Sequence, residues 1–326
     1  MKCSARWPRV RRAVKVLPMA DCSANSFRTP APAKINLHLR VGPPTADGFH
    51  PLLSWMVTVA LFDKLEFTLV DGPPGVALSC DDPAIPVDAS NLIVKTASAL
   101  LETNRASGAA LSRDRSVAIS LQKRIPIGAG LGGGSSDGAF TLIALDRLLG
   151  INWSAQRLAD FAARFGSDLS FFFHGPSSIC TGRGQIVDPI PVPKPRWAVL
   201  ILPQIHMATP AVYRRFDEMQ LGRAESLKNS IDLRQWAMLR ALDLLPKLVN
   251  DLEAPAFSLS KPLADLHAKA AFAANRIVRM SGSGSSLFTL FDEKDEAETS
   301  AHRLRLELGV DVRAVEVCPA LSDQQL

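Results

Sequence analysis

PIGAGLGGGSSDG at residues 126–138 is the stretch on which the reading of this chain turns. Six of the seven residues 128–134 are Gly or Ala, and only Leu131 is bulky. Glycine admits positive φ and lets backbone N–H groups approach an anion with no Cβ in the way. Leu142, Leu145 and Leu149 then recur at helical spacing, so the loop opens into a helix, with Ser135 or Ser136 expected as its cap. A glycine loop entering a helix N-terminus cradles phosphate, because orphan N–H groups and the helix dipole both favour negative charge. No Gly-Lys-Ser/Thr follows, which excludes a Walker A loop. Gly128, Gly130 and Gly133 fit G-x-G-x-x-G, but a dinucleotide fold wants an acid about 20 residues further on. Residues 151–155 read INWSA and hold none. A plain flexible turn is the remaining alternative. So dense a glycine run beside a strong helix is costly unless close backbone approach is needed.

Outward from the loop, AKINLHLRV at 33–41 alternates Ile35, Leu37, Leu39 and Val41 against Lys34, Asn36, His38 and Arg40, the pattern of a half-buried strand. KLEFTLV at 64–70 and VAISL at 117–121 repeat it. NLIVKTASALL at 91–101 predicts a helix with an Asn cap, and turn-rich stretches at 42–48 and 71–75 separate these elements. DPIPVPKPR at 188–196 carries four prolines and marks a domain border. Beyond it come a strand at 197–202, helical stretches near 231–253 and 261–274, a strand at 286–291, a charged helix at 293–308 and a last strand at 311–317. The predicted fold class is α+β in two domains. A mixed α/β nucleotide-binding domain covers 29–190, an α+β domain covers 191–326, and residues 1–28 form a basic tail expected to be disordered.

The chain has 326 residues, enough for two cores. Its formal charge of +5 is a property of the tail, where seven basic residues face Asp21 alone; the remainder carries 30 basic and 31 acidic residues. A nucleic-acid partner is therefore not expected. The tail is read as a disordered extension or as a mis-assigned start ahead of Met19, with an Arg-rich transit peptide as the alternative. The longest apolar runs, MVTVALF at 56–62 and WAVLIL at 197–202, fall far short of the roughly 20 residues that span a bilayer. Cys3, Cys22, Cys80, Cys180 and Cys318 form no C-x-x-C pair, so neither a disulfide framework nor structural zinc is expected, and a reducing cytoplasm fits.

GAGLGGGSSDGA closely resembles the phosphate loop of the galactokinase–homoserine kinase–mevalonate kinase (GHMP) superfamily. PAKINL at 32–37 resembles that superfamily's first motif, and MSGSGSS at 280–286 its third, a C-terminal glycine loop that approaches the phosphates. All three stand in the expected order. The resemblance implies a two-domain fold with its active site in the cleft between the domains, and ATP as co-substrate. ADGFH at 46–50 is similar to the substrate motif of the branch that phosphorylates a cytidine-diphosphate polyol in non-mevalonate isoprenoid synthesis, and GSDLSF at 166–171 to the segment carrying its catalytic Asp.

Phosphoryl transfer needs positioning and charge neutralisation more than covalent chemistry. Lys34 is suited to neutralising the γ-phosphate or the attacking oxygen, Asp168 to accepting the substrate hydroxyl's proton, and Asn36 shares the strand face of Lys34. The resemblance implies that Pro126, Gly128, Gly130, Leu131, Gly132, Gly133, Gly134, Ser135, Ser136, Asn91 and Lys123 bind ATP, the last two on the adenine side. It further implies that His50 reads a cytosine, that Phe49 or Tyr213 stacks on it, and that Gly282, Ser283 and Gly284 complete the substrate site. An acid beside a triphosphate is repulsive without a bridging cation, so Mg²⁺ is expected near Ser136 and Asp137. Ser170 stands where the family usually has Pro, Ser167 where Ala is common, and Gln185 where Glu is usual. A homoserine or mevalonate kinase, and a nucleotide-binding protein without activity, are the alternatives; ADGFH argues against the first, and retention of Lys34 and Asp168 against the second.

Overall fold

The structure, a computed structural model, describes residues 25–106, 115–228 and 232–321. Its first sheet is built on two long antiparallel strands, β1 (Ser26–Val41) and β2 (Leu52–Asp71). The other edge of β2 pairs antiparallel with two strands in succession. Near its start it meets β5 (Ser177–Gly182), which pairs with β6 (Ile186–Pro189), and near its end it meets β4 (Arg115–Gln122). The short strand β3 (Val76–Cys80) runs parallel to β4. Helices α1 (Leu92–Ala106), α2 (Gly133–Leu148) and α3 (Ala155–Ala162) pack with this sheet around a core that includes Phe67, Leu100, Leu145 and Phe171.

The second sheet has the order β10-β7-β9-β8, all antiparallel, from β7 (Trp197–Leu202), β8 (Arg279–Met280), β9 (Leu287–Phe291) and β10 (Asp311–Glu316). Its helices are α4 (Thr209–Glu218), three single turns α5 (Glu225–Lys228), α6 (Leu233–Trp236) and α7 (Ala241–Leu244), then α8 (Glu253–Leu259), α9 (Lys261–Ala274) and α10 (Lys294–Leu308). A core shared by both sheets, with Ile35 and Trp55 against Leu200 and Phe288, joins the two halves. β1 is pinned at the junction, where Leu39 exchanges backbone hydrogen bonds with Val249 and Asp251.

Three expectations change. The body begins at Ser26 rather than at residue 29: Phe27 is buried beside Phe67, and Arg28 pairs with Glu66 at 2.8 Å. The helical stretches expected near 231–253 are single turns, α6, α7 and a 3₁₀ turn at Leu245–Lys247, the last holding Pro246, which lacks the N–H an α-helix interior requires. β1 is not half-buried. Its polar residues Lys34, Asn36 and His38 are as buried as its apolar ones, so the strand carries a site on the face that alternation assigns to water. Residues 1–24 of the expected tail lie outside the described residues.

Candidate active site

A cleft of about 1440 Å³ opens between the halves. The phosphate loop, β1 and the third glycine loop meet at its floor. Gly130 is locked between the loops: an added Cβ would lie 2.2 Å from the Ser281 carbonyl oxygen, and the Gly130 carbonyl accepts from Ser281 Oγ at 2.9 Å. Ser286 N–H donates to the Ala129 carbonyl at 3.1 Å. Leu131 O accepts from Lys34 N–H at 2.9 Å while the Leu131 side chain anchors in the shared core. The helix that follows starts at Gly133 with Gly132 as its N-cap, in left-handed geometry at φ 67° and without a side-chain cap. Ser135 and Ser136 therefore lie inside the first turn and do not cap it.

Lys34 occupies the centre. Its Nζ donates to Asn36 Oδ1 at 2.7 Å and to the Gly130 carbonyl at 3.1 Å, and pairs with Asp168 Oδ2 at 3.4 Å. Asn36 is fixed in turn, its Nδ2 donating to Ser54 Oγ and its N–H to Ser281 Oγ. Asp168 opens the short 3₁₀ turn Ser167–Phe173. There Ser170, in place of the family's Pro, donates to the Ala159 carbonyl of α3 at 3.2 Å, so that departure has a partner.

At one end of the cleft Lys123 Nζ bridges two buried carboxylates, contacting Asp63 and, at 2.8 Å, Asp137. Burial opposes the charge on Lys123, but Asp137 and Asp63 together hold its pKa above the ordinary lysine value. Burial, with the negative charge of Asp63 adding to it, pushes the Asp137 carboxyl up against the pull of Lys123. Asp63 also accepts from the N–H groups of Arg124 and Ile125, which fixes the stem of the loop. Asn91 caps α1 by accepting from Ile93 N–H, and its Nδ2 donates to the Pro86 carbonyl.

At the other end His50 Nδ1 lies 2.9 Å from the Gly42 carbonyl. A carbonyl only accepts, so Nδ1 carries the proton. One ring nitrogen, not two, is thus left for a ligand. Nε2 is 3.4 Å from Asp217 Oδ2, and the ring packs at 5.1 Å from Tyr213 and 5.8 Å from Phe216. Burial and the negative charge of Asp168 push the Tyr213 phenol up to about 12, keeping it neutral at pH 7.

Of the residues expected at the site, Lys34, Asn36, Phe49, His50, Asn91, Lys123, Asp168, Tyr213, Gly282 and Ser283 line this cleft, as do Pro126, Gly128, Gly130, Gly132, Gly133, Gly134, Ser135 and Asp137. Three do not. Leu131 and Ser136 are buried in the interior, and a Cβ on Gly284 would point at Met280 Sδ, 2.8 Å away. For Mg²⁺, Ser136 Oγ and Asp137 Oδ1 are buried oxygens with no hydrogen-bond partner, hard donors of the kind that suit it, and of the two residues Asp137 lines the cleft. Among the described residues no group of three or more His, Cys, Asp or Glu is placed to hold a metal. Among the described residues no helix is long and apolar enough to cross a membrane. Sequence reasoning missed Asp63, which reads only as a break in an apolar strand, and Asn250, a lone Asn whose Nδ2 holds the Met280 and Gly282 carbonyls at 2.8 Å. Neither carries a local signal.

The chain matches the GHMP kinases N terminal domain over residues 91–176 and the GHMP kinases C terminal domain over 222–309. The cleft and these matches define the class: an ATP-dependent phosphotransferase of the GHMP kinase fold. A 4-diphosphocytidyl-2-C-methyl-D-erythritol kinase of Prochlorococcus marinus (strain MIT 9303) is 39% identical over 290 residues, covering 84% of this chain and 86% of that protein. One of Nocardioides sp. (strain ATCC BAA-499 / JS614) is 36% identical over 281 residues, covering 83% and 90%. A crystal structure of 4-(cytidine 5'-diphospho)-2C-methyl-D-erythritol kinase superposes with a TM-score of 0.71 at 31% identity, covering 90% of this chain and all of that one. The chain belongs to the 4-diphosphocytidyl-2-C-methyl-D-erythritol kinase family. A homoserine kinase from Cytophaga hutchinsonii, at 20% identity and a TM-score of 0.65, shares the fold.

Proposed function

We propose that this chain transfers the γ-phosphoryl group of ATP to the 2-hydroxyl of 4-diphosphocytidyl-2-C-methyl-D-erythritol. The observation that carries the reading is the Lys34–Asp168 pair, 3.4 Å apart on the floor of one cleft, beside the glycine loops and with the His50–Tyr213 contact at one end. Asp168 accepts the hydroxyl proton as the oxygen attacks phosphorus, and Lys34 neutralises charge on the transferring group. The phosphates lie along the loop and the first N–H groups of α2, with Asn91 and Lys123 on the adenine side. Gly282 and Ser283 close over the diphosphate of the acceptor. Asp137, with Ser136 behind it, would hold Mg²⁺, which when bound neutralises phosphate charge.

His50, held through Nδ1 by the Gly42 carbonyl, presents Nε2 to the polar edge of cytosine, and Tyr213 and Phe49 suit its flat faces. The proline-rich stretch at 188–196, between β6 and β7, is proposed as the domain border, and the cytoplasm as the place of action. The test is ATP consumption by the purified chain across a panel of a cytidine-diphosphate alcohol, its uridine analogue, mevalonate and homoserine. Turnover with the cytidine compound alone supports the reading. Turnover with mevalonate or homoserine instead refutes the substrate and leaves the kinase.

A further inference from the structure

The turn between β5 and β6, residues 183–185, touches both the Asp168 segment at the floor of the cleft and the loop at its His50 end. It is rigid: Arg183 N–H donates to Gln185 Oε1 at 2.7 Å and Gly184 N–H to the Thr181 carbonyl at 3.0 Å. A Cβ on Gly184 would lie 3.4 Å from Ser167 and 3.8 Å from Asp168 Oδ1, so the turn packs against the segment that carries the proton acceptor. In the other direction Arg183 reaches the loop that presents Phe49 and His50. Its guanidinium carbon lies 3.9 Å from the centroid of the Phe49 ring, and its NH2 pairs with Asp47. That loop is itself tied, with Thr45 Oγ1 donating to Asp47 Oδ1 and the Phe49 N–H donating to the same carboxylate.

Phe49 lines the cleft yet is 52% exposed. A half-exposed ring on a loop has rotamers to lose when a ligand stacks on it, and ordering it costs affinity. A guanidinium held flat on one ring face by an ion pair removes that freedom beforehand and leaves the opposite face for a second flat group. We propose that Arg183 is a positioning residue for the acceptor substrate: it fixes Phe49 as a preformed platform for the base, in a guanidinium–phenyl–base stack. This rests on the reading that the acceptor is a cytidine nucleotide.

The experiment uses the full chain with Arg183→Leu, Arg183→Lys, Phe49→Leu and the double variant Arg183→Leu/Phe49→Leu. It measures kcat, KM for both substrates, Tm, and inhibition by free cytidine, which has the base but no phosphates. Arg183→Leu should raise KM for the cytidine substrate and Ki for cytidine by the same factor, about three- to tenfold, the size of one cation–π contact. kcat, KM for ATP and Tm should stay within error of wild type. Arg183→Lys, which keeps the charge but not the planar stack, should recover only part of the loss. In the Phe49→Leu background Arg183→Leu should add almost nothing. An unchanged cytidine Ki beside a raised KM overturns the proposal, since Arg183 then acts on the phosphates. Additive effects of the two substitutions, or a loss confined to kcat, overturn it as well. If cytidine does not bind the wild-type enzyme at all, the cytidine reading fails and takes this proposal with it, a result seen before any variant is made.

Discussion

Gly132→Ala should damage the enzyme through Lys34 rather than through the nucleotide. Gly132 has φ 67°, and an added Cβ would lie 2.9 Å from both Cγ and Cε of Lys34. The left-handed conformation alone costs an alanine about 1–2 kcal/mol. Forcing a methyl into a packed site costs about 1–3 kcal/mol more. Together these give a destabilisation of about 2–5 kcal/mol. Lys34 cannot relieve the clash freely, because its Nζ is held by Asn36, Gly130 and Asp168 at 2.7, 3.1 and 3.4 Å. A shift of its stem by about 1 Å should lower kcat on the order of 10²-fold. Gly134→Ala is the control. Gly134 lies in α2, and its added Cβ would meet only Leu92 Cδ1 at 3.8 Å. The protein should gain up to about 1 kcal/mol, the helix preference of Ala over Gly. Any loss of ATP affinity in that variant then reports phosphate passing close by. Chemical denaturation, ATP titration and steady-state kinetics on both variants decide the matter. Wild-type Tm and kcat in Gly132→Ala would show that Lys34 is not held against this glycine.

His38 is buried with Nδ1 accepting from Val249 N–H, and burial, with Arg40 and Arg279 nearby, lowers its pKa to about 4. Between the unfolded value of about 6.5 and 4 the unfolded chain binds a proton that the native chain refuses, so stability should fall as pH drops through that window, by up to about 3 kcal/mol. Denaturant unfolding of wild type and His38→Gln at pH 7 and pH 4.5 checks this, and an equal pH dependence in both would count against it. His50→Ala should raise KM for the cytidine substrate by about 10-fold or more through loss of a buried hydrogen-bonding group, and erode the preference over the uridine analogue; full retention of that preference removes His50 as the reader. Phe27→Ala should cost about 3–5 kcal/mol in urea unfolding, as for a core phenylalanine, whereas a surface position would cost almost nothing.

The glycine loops and β1 were legible because backbone approach and strand alternation leave local marks. Period-two patterning placed Lys34 and Asn36 on one face, and the structure brings both to the cleft floor. The first half of β2 was not legible, because residues 54–59 are buried on both faces and show no alternation. The cap of α2 was misread since Gly132, not a serine, takes the left-handed turn. Asp63, Asn250 and Arg183 act through partners 60, 30 and 136 positions away in sequence, Lys123, Met280 and Asp47. No local pattern encodes such pairs.

Phosphoryl transfer is proposed to take place at the Lys34–Asp168 pair. The most direct measurement is kcat for the cytidine substrate, with ATP affinity alongside, in Asp168→Asn. The substitution keeps the size of the side chain and removes its basicity. kcat should fall by about 10²–10⁴-fold, the usual contribution of a general base, with ATP affinity nearly unchanged. Unchanged turnover would contradict the account, because the proton would then be leaving by another route.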